Sequence, residues 1–169
     1  MDRIDVLLTI AEVAVAFAGF ASLASLIGRE SSSADPRVDA VRLRNMLSSS
    51  MSVVALSLVP VLVLPVAPSE ALGWIVSSAI ALVWATISMV RGFRRARPIR
   101  DAPGYDFAGH RNTQVLGVLL IGGLLINSTG VPGSYSDDIY LGTLLLALAM
   151  SGMLFARVVA SVLGGDAAP

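Results

Sequence analysis

Apolar residues gather into five stretches, each long enough to cross about 30 Å of hydrocarbon as a helix rising about 1.5 Å per residue. The first runs from about residue 4 to residue 27, the second from 46 to 66, the third from 71 to 90 and the fourth from 113 to 131. The fifth runs from 139 to about 156, with a polar-tinged extension to 163. This pattern predicts an all-α fold, a polytopic transmembrane helical bundle with five spans in a single domain over residues 1–169. Neither an internal repeat nor a polar stretch large enough to bury a core of its own is present. In the fourth stretch Gly117, Gly122, Gly123 and Gly130 accompany Asn127, Ser128 and Thr129. Besides a complete span, that segment admits a re-entrant or broken helix, which is acceptable only where protein covers it.

The first stretch lies where a cleaved leader would, but a leader carries a positive n-region. Here Asp2-Arg3-Ile4-Asp5 is net negative and the apolar run exceeds a usual h-region, so the segment is expected to be retained as a helix. Asp35-Pro36, an N-cap residue followed by proline at the first helical position, predicts that the second helix starts near Pro36. Pro60 and Pro65 should kink or end it.

Orientation rests on arginine alone, because the chain has no lysine. The 28–45 loop holds Arg29, Arg37, Arg42 and Arg44, and the 91–112 loop holds Arg91, Arg94, Arg95, Arg97, Arg100 and Arg111. The other two connections carry only Glu70, Asp137 and Asp138. The positive-inside rule then places the amino terminus outside and both arginine-rich loops and the carboxyl terminus in the cytoplasm. Arg91, Arg94 and Arg95, spaced i, i+3 and i+4, would hold anionic lipid headgroups there, with Arg157 snorkelling to the same interface.

Composition agrees with a bilayer location: 55% of residues are hydrophobic, 14% are charged and the mean hydropathy is +0.77. A formal net charge of zero gives no reason to expect nucleic acid as a partner. With no cysteine and one histidine, disulfides, thiolate chemistry and a multi-histidine metal centre are excluded. Hydrolase and phosphate-loop motifs are missing too. Gly164-Gly165-Asp166 lies in the tail without a second aspartate to complete a protease dyad. Thr129-Gly130-Val131-Pro132-Gly133 has proline where a potassium filter cannot take it. No enzyme activity and no cofactor are expected.

Glu12 is the residue most informative about function, since acids well inside a span are rare and costly. Asp5, Thr9, Glu12, Ala16 and Gly19 form one helical stripe, an acidic path from the outer face if the stripe lines a cavity. The structural alternative is a Glu12 that is protonated or hydrogen-bonded to a neighbouring helix and sets register. Arg157 is a poor partner for it, because the two sit about 15 Å apart along the membrane normal at 1.5 Å per residue. Ala11, Ala14, Ala18, Ala21, Ser22 and Ser25 make the first helix slim, and it is expected to be enclosed by others. Leu141, Leu144, Leu145, Leu146 and Leu148 surround the fifth helix and suggest lipid contact or bulk packing. Ser48, Ser49, Ser50 and Ser52 suit packing better than a wet pore. His110 is expected in a solvated loop, with pH sensing as the alternative.

Ala11-Glu12-Val13-Ala14-Val15-Ala16-Phe17-Ala18-Gly19-Phe20, Arg42-Leu43-Arg44, Pro60 and Phe155-Ala156-Arg157 together resemble a group of small uncharacterised bacterial integral membrane proteins with five helices. That resemblance covers most of the chain. It implies a bacterial inner-membrane location and no particular activity. The sequence therefore predicts a protein whose partners are the lipid bilayer and either further copies of itself or another membrane protein. A homo-oligomeric proton or cation conduit built on Glu12, Asp5 and Thr9 is the alternative.

Overall fold

A computed structural model describes residues 3–27, 36–102, 105, 107–131 and 133–163. All regular structure among them is helical: α1 (Arg3–Ile27), α2 (Pro36–Val63), α3 (Glu70–Ala96), α4 (Phe107–Ser128) and α5 (Ser136–Leu163). Short 3-10 turns at Leu64–Val66, Arg97–Ile99 and Gly133–Tyr135 join them. Among the described residues three stretches, Ala40–Val66, Glu70–Ile99 and Ser136–Ala160, are long and apolar enough to cross a membrane. In α1 the apolar run is diluted by Arg3, Asp5 and Glu12, and in α4 by His110, Arg111, Asn112 and Gln114.

The helices begin and end where local chemistry dictates. Pro36 opens α2, a position where its missing N–H costs nothing, while the cap expected at Asp35 lies outside the described residues. Pro60 stays inside α2, and the α-helix gives way at Val63 to a 3-10 turn that holds Pro65. Ser69 caps α3: its backbone is extended (φ −149°, ψ 154°) and its Oγ accepts from the Leu72 N–H at 3.3 Å. Six further residues lengthen α3 past residue 90, so that Arg91, Arg94 and Arg95 are helical. The glycine-rich fourth segment forms one continuous helix from Phe107, and its end at Ser128 is followed by Gly130 in the left-handed region (φ 72°).

Successive helices alternate in direction, and Arg3 at the start of α1 pairs with Asp137 and, at 3.4 Å, Asp138 at the start of α5. One end of the bundle is thus acidic, with Asp5, Glu70, Asp137 and Asp138 around Arg3, while the other described arginines lie at the opposite end. Neighbours in sequence pack as neighbours, α1 on α2, α2 on α3 and α3 on α4. The leucines of α5 do not make it a peripheral helix. It touches all four others and closes the bundle, with Leu144, Ala147 and Val158 buried and only part of its surface, such as Leu145, left outside. The core consists of Leu7, Ile10, Ala14, Val53, Leu56, Trp74, Leu120, Leu124 and Tyr140 with their neighbours.

No hydrophobic effect drives apolar helices together in lipid, so close packing and interhelical hydrogen bonds hold them. Asn127 Nδ2 donates to Ser78 Oγ and to the Ser136 carbonyl, both at 2.7 Å, tying α4 to α3 and α5. Ser151 Oγ donates to Ser49 Oγ at 2.8 Å, and Trp84 Nε1 donates to Ser52 Oγ at 3.0 Å. Two of the clustered serines therefore join helices. The Tyr140 hydroxyl donates to the Leu56 carbonyl at 2.7 Å. Leu56 stands four residues before Pro60, the one position in α2 whose carbonyl the proline deprives of its helical partner.

Candidate functional site

The acidic stripe forms on α1 as the spacing predicts, but it faces outward. Asp5, Thr9, Glu12, Ala16 and Gly19 are all exposed, whereas Leu7, Ile10, Ala11 and Ala14 occupy the face packed on α2 and α5. Within one chain, then, α1 is not enclosed; more than half of its described side chains are exposed. Thr9 Oγ1 donates to its own helix at the Asp5 carbonyl, 2.8 Å away, so its hydroxyl is committed locally. Further along, Phe17 stacks on Phe155 of α5 with ring centroids 5.5 Å apart.

A second site, which sequence reading missed, is a cavity of about 210 Å³ between α2, α3, α4 and α5. It extends from Val38 to Leu56 along α2, eighteen residues or about 27 Å of helix. Its mouth, at the arginine end, holds Arg42, Arg95, Arg157, His110, Asn45 and Gln114. Its floor is apolar, made by Val53, Leu56, Leu120 and Ala147. Past the floor, buried Leu124, Tyr140 and Leu144 leave a void of only about 10 Å³, so the cavity is blind at the acidic end.

The predicted headgroup arginines divide between these surroundings. Arg91 and Arg94 are exposed on the outside of α3, while half-buried Arg95 and Arg157 turn into the cavity wall. Asp5, Thr9 and Glu12 do not line it. His110 is no solvated loop residue: it sits in the first turn of α4, half-buried between Phe93 and Tyr105 and against the Gln114 amide. Burial, and then the positive charges of Arg100 and Arg157, lower its pKa from the usual 6.5.

A sequence signal for this cavity existed. Arg42, Asn45, Ser49 and Ser52 recur at three, four and three residues, as Ser88, Gly92 and Arg95 recur at four and three, so each helix carries a polar stripe into apolar surroundings. What the stripes could not reveal was that they face one another. No protein-family model, curated protein or solved structure matches the chain.

Proposed function

We propose that this is a non-enzymatic integral protein of a bacterial inner membrane that crosses the bilayer five times and works by associating with further copies of itself across the outer face of α1. The amino terminus lies outside and the arginine-rich end in the cytoplasm. Exposure of Glu12 carries this reading. The residue stands nine positions past Arg3, about 14 Å along α1, where contact with lipid would be costly for a carboxylate. A second copy removes that contact. Ala16 and Gly19 extend the same face, and a Cβ at Gly19 would meet nothing within 4 Å, which leaves room for close approach of another helix. A length of 25 residues, about 37 Å, supports membrane crossing by α1 as well, and because α3 ends at the arginine end while α5 begins at the acidic end, α4 has to return across the bundle between them.

A second reading, a proton or cation conduit, draws on the shared stripe of Asp5 and Glu12. Copies arranged about an axis would bring both carboxylates into rings, and since the cavity within one chain is blind, the path would have to lie between chains. Native mass spectrometry of the full chain in mild detergent tests the association: oligomers support it, and monomer alone refutes both readings. Flux from liposomes then separates them. A conduit predicts proton or monovalent-cation flux that Glu12→Gln suppresses while the oligomer survives. If wild type is silent across pH and voltage, the conduit is refuted and association stands.

A further inference from the structure

We infer that the blind cavity between α2, α3, α4 and α5 binds a single-chain anionic amphiphile, its carboxylate or phosphate head among Arg42, Arg95 and Arg157 and its alkyl chain over Leu56, Leu120 and Ala147. The charged side chains of the lining all lie at its arginine end, beside apolar Val38, Val41 and Ile99, and the opposite end is apolar. Three guanidinium groups gather at the mouth, and no described residue of the lining is acidic. Arg95 has no acidic partner among the described residues. A positive potential concentrated in a recess walled by low-dielectric helices draws anions and repels cations. Guanidinium groups also match the planar, multi-oxygen heads of carboxylates and phosphates.

The rest of the lining selects what the anion is attached to. A free inorganic anion would leave the apolar floor with no occupant, whereas a molecule with a charged head and a hydrocarbon tail matches both ends at once. Size narrows the class further. A volume of about 210 Å³ corresponds to at least roughly seven groups of water size at about 30 Å³ each. It falls below the usual drug-site range of about 300–1,000 Å³ and suits one chain rather than two. Because the far end is closed, the arrangement retains a ligand instead of passing it through. This inference does not depend on self-association, since all its residues come from one chain.

Trp84 lines the cavity and supplies a reporter; Trp74, the other tryptophan, is buried beside Tyr140. The test uses full-length protein in a neutral detergent, titrated with bromine-labelled dodecanoate, bromine-labelled dodecyl phosphate or the matching neutral alcohol, with Trp84 quenching as the readout. Saturable quenching by one or both anions, with the alcohol at least tenfold weaker, is expected; the tighter anion identifies the head. Arg95→Gln should weaken anion binding at least tenfold. Arg97→Gln, which removes an equal charge from an exposed site, should change it less than twofold. Filling the cavity from α3 with Ser88→Phe should abolish quenching while helical content is retained. Equal binding of the neutral alcohol, equal effects of the two arginine variants, or equally effective competition by inorganic phosphate would each overturn the proposal. Should Ser88→Phe fail to fold, the arginine comparison still decides.

Discussion

Pro60 creates a demand inside α2 that Tyr140 meets, and removing the Tyr140 hydroxyl should expose it. Proline has no N–H, so the Leu56 carbonyl has no intrahelical donor, and both Leu56 (5% exposed) and Tyr140 (0%) are cut off from solvent. Tyr140→Phe keeps the ring, and with it the contact to Trp74 at 5.6 Å between centroids, but leaves that carbonyl orphaned. A buried acceptor without a partner costs about 1–3 kcal/mol. Interhelical hydrogen bonds measured in a bilayer average only about 0.6 kcal/mol, because separated helices find other partners. That compensation is curtailed here, since Pro60 withholds the donor from the isolated helix too. The expected loss is therefore about 1–2 kcal/mol by the same two scales. In a Pro60→Ala background the helix supplies its own N–H, and the loss should shrink by about 1 kcal/mol, a coupling read from the double-mutant cycle. Reversible unfolding in mixed micelles, followed by helical circular dichroism, provides the four stabilities. If Tyr140→Phe costs the same with proline or alanine at position 60, the proline is not the source of the demand and the argument fails.

Two neighbouring glycines should respond oppositely to alanine. A Cβ at Gly123 would lie 2.7 Å from Thr143 Cγ2, and Thr143 cannot easily yield because its Oγ1 donates to the Tyr140 carbonyl at 2.7 Å. Overpacking of about 1–3 kcal/mol should outweigh the helix-propensity gain of about 1 kcal/mol. Gly122→Ala meets nothing within 4 Å and should leave the protein as stable or more so; the same unfolding assay fails this reasoning if the two variants behave alike. For His110, whose folded pKa lies below its unfolded value, the stabilising contribution is full above about pH 6.5 and declines as pH falls toward the folded pKa. Wild type should therefore lose thermal stability relative to His110→Asn between pH 7 and pH 5, and a constant difference would show that the imidazole is not held neutral.

Helical character, the number of helices and several of their limits were legible in the sequence because they are set locally. Apolar run length, Pro36 at a first turn and Pro65 just past an end act within a few residues, whatever the rest of the chain does. Which face of each helix points inward was not legible. Helices suited to lipid are apolar around most of their circumference, so the periodic contrast that marks the buried face of a soluble helix is faint. That is why the stripe through Glu12 could be recognised while its outward direction could not, and why the leucines of α5 concealed a helix that touches all four others. The Tyr140 hydroxyl reaching Leu56 and the gathering of Arg42, Arg95, Arg157 and His110 depend on helix rotations and crossing positions, which only packing among residues far apart in the chain decides.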